Sequence, residues 1–312
     1  MAGIVPNAVG LRCSYFFSGL LAFMHIRQLF QPGRPVFSVE VFPPKTPQGV
    51  ENLQSKLHEM ARFKPDFFSV TYGAGGGTRH TTGQICAFIK HKVQVEVLAH
   101  LTCISHTPAE IHQVLQNLWA DDIQNIIALR GDPPPGQPFV AMPGGFHYAA
   151  DLVTAVKAET GFGVAVAGYP EGHVEAKDYA QDQQHLLAKV RAGADFIISQ
   201  YFLDNTLFFR WRDDLQRLGI QVPIQAGVMP AQSLEQITRF SKFCGATVPE
   251  KLRQGLARFE NDPAGAAGFG IEFAQAQVAG LLKEGVDGVH LYSLNKLEPV
   301  QALAPLFHAH QK

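Results

Sequence analysis

The sequence predicts an α/β protein, a parallel (β/α)8 TIM barrel, on three observations. Short apolar runs rich in Val, Ile, Phe and Ala recur eight times along 312 residues, each closed by polar or turn residues. Stretches with helical apolar spacing separate nearly all of them, and strand–helix alternation calls for a parallel sheet. Eight such units in a chain of this length suit closure into a barrel. An open doubly wound sheet is the competing fold. No Gly-x-Gly-x-x-Gly follows the first strand, which counts against a Rossmann site.

Residues 1–30 are expected to lie outside the core. Tyr15 to Phe23 follows Arg12 and loosely mimics a signal-peptide core, but Met24-His25-Ile26-Arg27 follows without a small-residue cleavage site. Met24 is itself a candidate start. Residues 31–312 then form one catalytic barrel. Strands are expected over Val36–Val41, Phe67–Thr71, Val95–Leu101, Asn125–Leu129, Gly163–Ala167, Phe196–Gln200, Val222–Ala226 and Gly288–Tyr292. Between the first two, Val50, Leu53, Leu57 and Met60 recur at helical spacing. Thr107-Pro108-Ala109-Glu110 reads as an N-cap, a first-position proline and an early acid. The helix from Tyr179 to Arg191 ends at a glycine signal, Gly193, and the one capped by Asp204-Asn205 ends at Gly219. Three helical stretches, Ser233–Phe243, Pro249–Phe259 and Ala264–Glu284, make the connection between strands 7 and 8 longer than the others.

Composition narrows the function classes. Hydrophobic residues are 46% and charged residues 17%, so a large core is available and disorder is disfavoured. A net charge of −1 offers no basic field for nucleic acid or an anionic membrane. No apolar run reaches the roughly 20 residues that span a bilayer. Cys13, Cys86, Cys103 and Cys244 form no CxxC pair, which suits reduced thiols in a cytoplasmic protein. The 13 histidines show no metal-ligand spacing, so no metal is expected.

In a (β/α)8 barrel the active site forms at the C-terminal ends of the strands. Those ends read Glu40, Thr71-Tyr72-Gly73, His100, Arg130-Gly131-Asp132, Tyr169, Gln200, Gln225 and Leu294-Asn295-Lys296. Ionisable and polar groups thus converge from most strands onto one face, which points to an enzyme. The sharpest case is the buried-type strand Asn125–Leu129, which stops at a cation, a glycine, an acid and three prolines. Glu40 sits in an aromatic, apolar strand, where desolvation favours the protonated carboxyl that a general acid needs. The bland alternative is a salt bridge to a core cation such as Lys296. Gly73 to Thr78 is a glycine-rich loop, equally a ligand cradle or a plain mobile loop. Arg-Gly-Asp in a barrel loop is not read as an adhesion motif.

Seven motifs carry a resemblance across Val36 to Leu306. They are Ser38-Val39-Glu40-Val41-Phe42-Pro43-Pro44, Val70-Thr71-Tyr72-Gly73-Ala74, His100-Leu101-Thr102-Cys103, Leu129-Arg130-Gly131-Asp132, Tyr169-Pro170-Glu171-Gly172-His173, Ser199-Gln200-Tyr201-Phe202-Leu203-Asp204 and Tyr292-Ser293-Leu294-Asn295-Lys296. In this order the chain resembles the methylenetetrahydrofolate reductase family in its bacterial single-domain form. The resemblance implies a FAD-containing barrel that reduces 5,10-methylenetetrahydrofolate to 5-methyltetrahydrofolate with NADH or NADPH. It further implies a ping-pong order, a homo-oligomer and a supply of methyl groups for methionine synthesis. Glu40 is then the general acid that helps open the methylene bridge, and Asp132 lies near the flavin ring and favours the cationic folate intermediate.

The same resemblance matches Thr71, His100, Arg130, Gly131, Tyr148, Ala149, Tyr169, His173, Asp182 and Lys189 to FAD-contacting positions. Gln200, Gln236 and Phe240 match folate or nicotinamide positions, with Phe240 as a stacking surface. Three residues depart from the family pattern. His185, counted with the cofactor positions, and Ala188 stand where Asn and Arg are common. Lys296, counted with the substrate positions, stands where Arg is usual, and Lys lacks the planar fork that grips a carboxylate. These departures leave room for a family member with an altered pterin acceptor. A non-catalytic folate- or flavin-binding subunit is the other alternative, and the presence of both Glu40 and Asp132 counts against it. An adenosylmethionine-responsive region after the barrel is expected to be absent.

Overall fold

The computed structural model of the chain describes residues 24–72, 79–133, 137, 139–159 and 161–308. Eight parallel strands pair in sequence order and close into a barrel. They are β1 (Val36–Val41), β2 (Phe67–Val70), β3 (Glu96–Thr102), β4 (Asn125–Leu129), β5 (Gly163–Gly168), β6 (Phe196–Ser199), β7 (Ile224–Val228) and β8 (Gly288–Tyr292). Around them run α1 (Pro47–Ala61), α2 (Arg79–Phe88), α3 (Pro108–Ala120), α4 (Ala149–Ala158), α5 (Tyr179–Arg191) and α6 (Asn205–Arg217). The extended connection between β7 and β8 carries α7 (Leu234–Cys244), α8 (Glu250–Ala257) and α9 (Pro263–Lys283), and α10 (Leu297–His308) closes the ring.

Local chemistry sets the helix starts. Thr107 and Glu110 exchange side-chain and backbone bonds in a full capping box ahead of Pro108. Thr46, Asp178, Asp204, Ser233 and Asp262 each accept a backbone N–H of the first turn. Packing does the rest. One apolar layer lies between strands and helices, from Leu53, Leu57 and Met60 on α1 round to Val300, Leu303 and Phe307 on α10. A second fills the lower barrel with Val36, Phe67, Leu98, Ile127, Ala165, Phe196 and Ile198.

Two expectations change. Residues 24–30 are not all outside the core. Ile26 to Leu29 forms a short 3-10 turn that plugs the barrel floor, with Ile26 fully buried and Phe30 against Phe196 at 5.2 Å. Asn125 fastens this plug, accepting from Ile26 N at 2.9 Å and donating to Met24 O at 3.0 Å. Asn125 in turn contacts Glu96, which is held by a buried ion pair to Lys90 at 2.8 Å. Residues 1–23 lie outside the described residues.

The seventh strand starts later than expected, at Ile224 and not Val222. Pro223 has no N–H, so it brings only its carbonyl to the ladder, accepting from Ile197 N at 2.9 Å. The Ile224 N–H goes to the Asp287 carboxylate at 2.8 Å. The strand continues through Gly227, where a Cβ would stand 2.2 Å from the Ser199 carbonyl oxygen; only glycine fits. Gln225 therefore sits low in the barrel and fully buried, not at the strand end. Among the described residues no helix is long and apolar enough to cross a membrane.

If the floor plug contributes to the fold, Ile26→Ala should cost about 2–5 kcal/mol in a denaturant melt, as for other fully buried aliphatic truncations. A loss under roughly 0.5 kcal/mol, the range of surface substitutions, would place Ile26 outside the cooperative core.

Candidate active site

The C-terminal ends of the strands surround a cavity of about 380 Å³. Its wall holds Glu40 from β1, His100 from β3, Arg130, Gly131 and Asp132 after β4, Tyr169 and His173 after β5, Gln200 after β6, and Phe240 from α7. Seven of these residues come from the strand-end reading, while His173 and Phe240 come from the family resemblance, and all nine line one cavity. Ile127, Leu129, Ala167, Ile198 and Met229 give that cavity an apolar lining beside the polar one.

Glu40 is set by its strand and by the loop after β8. β1 pairs with β8 so that Glu40 lies beside Tyr292. The Ser293 hydroxyl donates to the Glu40 carbonyl at 2.6 Å. The Asn295 side chain accepts from Phe42 N and donates to Phe42 O, at 2.9 and 2.8 Å, which extends the ladder by one amide. To do so Leu294 and Asn295 both adopt left-handed backbone, φ 53° and 57°, a costly pair for residues with side chains.

The carboxyl itself is not sealed in an apolar shell, as its aromatic strand suggested. Its side chain is 18% exposed to the cavity, and Oε2 lies 3.4 Å from His100 Nε2 and 3.5 Å from both His290 Nε2 and Ser69 Oγ. Lys296 is not its partner; that ammonium donates to Gln232 Oε1. Burial lowers the His100 pKa to about 4, with Glu40 pulling it up and His290 pushing it down, so His100 is neutral near pH 7.

Gly131 makes the turn between the two charges, at φ 84° with its α-carbon packed where a Cβ would meet Ile104 at 2.5 Å. Arg130 pairs with Glu175 at 2.5 Å and stacks over Phe139 at 4.9 Å. The Glu175 partner was not singled out in the sequence. Asp132 is exposed at the cavity wall.

A second group lies on α4 and α5, beside the cavity. Tyr148 caps α4, which begins at Ala149, and its ring is 6.1 Å from His185 on α5. Lys189 donates to Ala167 O at 2.6 Å, directly behind the cavity wall, and stands 5.8 Å over the Tyr169 ring. Burial lowers the Lys189 pKa to about 8 against the pull of Asp182, and burial raises Asp182 against the pull of Lys189. Burial also lowers His173, with the Arg130 charge adding to it.

Gln236 and Lys296 are not part of the cavity lining; Gln236 accepts from Gln232 N at 3.0 Å, and Gln232 holds Lys296. The Gln236 Nε2 is buried with no partner among the described residues, a donor in want of an acceptor. Thr71 stands apart from the cavity lining; its carbonyl accepts from Thr82 Oγ1 at 3.1 Å. The loop from Gly73 to Thr78 lies outside the described residues.

Leu294, a strand-end residue, lines the cavity too, and so do Tyr201, Cys244, His290 and Tyr292, which the strand-end reading missed. For His290 a signal was available. In Gly288-Val289-His290-Leu291-Tyr292, alternation places His290 and Tyr292 on the same inward face. Arranged this way, the site offers a proton donor or acceptor at Glu40, an exposed carboxylate at Asp132, an aromatic face at Phe240, and cations at Arg130 and Lys189.

Comparison of the sequence with known proteins identifies a family. A family model described as methylenetetrahydrofolate reductase matches residues 25–305. The 5,10-methylenetetrahydrofolate reductase of Escherichia coli is 37% identical over 266 residues, covering 85% of this chain and 88% of that protein. The methylenetetrahydrofolate reductase (NADH) 1 of Arabidopsis thaliana is 37% identical over 282 residues, covering 86% of this chain but 48% of the plant protein. The chain thus spans about half the length of the plant relatives it matches. Among solved structures, an uncharacterized Clostridium thermocellum protein that binds two copies of 5-methyl-5,6,7,8-tetrahydrofolic acid shares the fold. Its TM-score is 0.60 at 15% identity, over 89% of this chain and 96% of that one.

A neutral buried His100 has a consequence for pH stability. Its folded pKa is depressed, so the unfolded chain takes up the proton first and stability falls as pH drops from about 6.5 to about 4. His100→Gln should remove that part of the acid sensitivity, on the order of 3 kcal/mol across the window. Equal pH slopes for both proteins in denaturant melts would show that His100 is not held neutral.

Proposed function

The chain belongs to the methylenetetrahydrofolate reductase family, and on that footing we propose that it reduces 5,10-methylenetetrahydrofolate to 5-methyltetrahydrofolate with NADH, using FAD bound at the barrel mouth. The observation that carries this reading is the meeting of Glu40 and Asp132 on one cavity that also offers an aromatic face and an apolar floor. NADH is favoured over NADPH because the plant relatives carry it in their names.

The residues present fit a flavin dinucleotide. Ile127, Leu129, Ala167 and Ile198 form an apolar wall for a flat ring. Arg130 and Lys189 supply cations, and Arg130 can grip a phosphate bidentately once released from Glu175. Tyr148 and His185 add an aromatic pair along α4 and α5. When bound, FAD supplies two-electron transfer between the nicotinamide and the folate.

The chain's own groups do the rest. Glu40 donates a proton to the bridging nitrogen of the folate, so that the methylene bridge opens to a cationic iminium. Asp132 keeps its negative charge near that cation and stabilises it electrostatically. Phe240 stacks on the pterin or nicotinamide ring, and Gln200 and the Gln236 Nε2, which has no partner among the described residues, hydrogen-bond the ligand edge. Both ligands use the same cavity in turn, which gives a ping-pong order. The product is a methyl donor of the kind that methionine synthesis consumes.

Lys296 favours a second reading, an altered pterin acceptor, because the residue engages Gln232 and presents a point charge in place of a fork.

Anaerobic half-reactions test the acid. Glu40→Gln should leave flavin reduction by NADH within about twofold and slow the folate half-reaction by roughly 10²- to 10⁴-fold, the usual worth of general acid catalysis. Unchanged folate turnover would overturn the role given to Glu40. For the substrate rim, Lys296→Met should raise the KM for methylenetetrahydrofolate about tenfold, as expected for loss of a charged contact near 1.4 kcal/mol. An unchanged KM would mean that Lys296 does not touch the folate.

A further inference from the structure

Beneath Glu40 the barrel holds polar side chains to which the reaction above gives no role. Gln225 on β7, Ser38 on β1 and His290 on β8 are all buried to within 1% of complete. The Gln225 Nε2 lies 3.3 Å from the Val36 carbonyl oxygen and 3.5 Å from that of Val289. Carbonyls only accept, so the amide nitrogen must face them, and the orientation of the amide is fixed. The same nitrogen donates to Ser38 Oγ at 3.1 Å.

Ser38 then has one proton to give and two acceptors in reach. His290 Nδ1 is at 2.7 Å and Gln225 Oε1 at 3.4 Å. The shorter contact is an ideal hydroxyl bond and the longer is at the limit of one, so the proton goes to the imidazole. A ring nitrogen that accepts carries no proton, which puts the proton of neutral His290 on Nε2. That nitrogen faces both Ser69 Oγ at 3.4 Å and Glu40 Oε2 at 3.5 Å. His100 Nε2 and Ser69 Oγ approach the same oxygen, and none of these contacts reaches Oε1.

We propose that Gln225 is a positioning residue for the acid: through Ser38 it holds His290 as the Nε2–H tautomer, which makes Glu40 Oε2 an acceptor and leaves Oε1 to carry the reactive proton into the cavity. In the opposite tautomer a bare Nε2 would draw the Glu40 proton onto Oε2, pointing it down the barrel and away from substrate. Gln225 thus acts on the direction of a proton two side chains away. The proposal rests on the acid role of Glu40 given above.

The test combines a spectrum with kinetics on the full-length protein loaded with FAD. Long-range proton–nitrogen correlation of ¹⁵N-labelled protein, with His290→Gln for assignment, reports which ring nitrogen is protonated. The expected result is Nε2–H in the native chain and a shift toward Nδ1–H in Gln225→Leu. The variant should also slow the folate half-reaction about tenfold, below the full worth of a general acid, with flavin reduction by NADH unchanged. Ser38→Ala, a smaller change in the same relay, should reproduce both effects if the Leu variant folds poorly. Native His290 protonated on Nδ1 would overturn the proposal without any variant. So would full folate activity in Gln225→Leu alongside an inactive Glu40→Gln. If Glu40→Gln is itself active, the acid role falls, and the tautomer is still read from the spectrum.

Discussion

A carboxyl on the inner wall of a closed barrel has to be hydrogen-bonded, and the seam between β1 and β8 is where this chain meets that demand. The seam sets Glu40 beside Tyr292, brings His290 under the carboxyl, and lets Ser293 and Asn295 tie the end of β1. The strained pair Leu294–Asn295 persists because the side-chain amide of Asn295 replaces two ladder bonds. Without the closure of strand 8 on strand 1, the polar column would be open to water and the acid would have no fixed direction.

Above and below that seam the barrel divides its labour. The floor is packed by an apolar cluster, plugged by Ile26 and tied by the Asn125, Glu96 and Lys90 group. This floor gives the rigidity that a site on flexible loops would lack. The upper half is polar and roomy, and its loops carry Asp132, Tyr169 and His173 into the cavity. The α4–α5 flank adds Tyr148, His185 and Lys189 without contributing to the cavity lining itself.

Much of this was legible in the sequence. Strand–helix alternation predicts the barrel, and the polar residues at strand ends predict most of the cavity wall. The Thr107–Glu110 box and the long connection after the seventh strand were readable for the same reason: the physics is local. What was missed depends on contacts between distant segments. The floor plug at residues 24–30 reads as a non-core extension because its partner, Asn125, is 99 residues from Ile26. The late start of β7 follows from Pro223, a visible signal that the apolar run at Val222 obscured. Glu175 pairs with Arg130 only because the loops after β4 and β5 meet in space. His290, Ser38 and Ser69 sit inside strands, and reading only strand ends passes over them.

The visible absorption spectrum of the native protein, taken without oxygen, addresses the central claim most directly. A bound flavin should bleach on addition of NADH and recolour on addition of methylenetetrahydrofolate, since one cavity serves both ligands. A protein that stays colourless after addition of FAD, or that bleaches and never recolours with this folate, would contradict the function proposed for the cavity around Glu40 and Asp132.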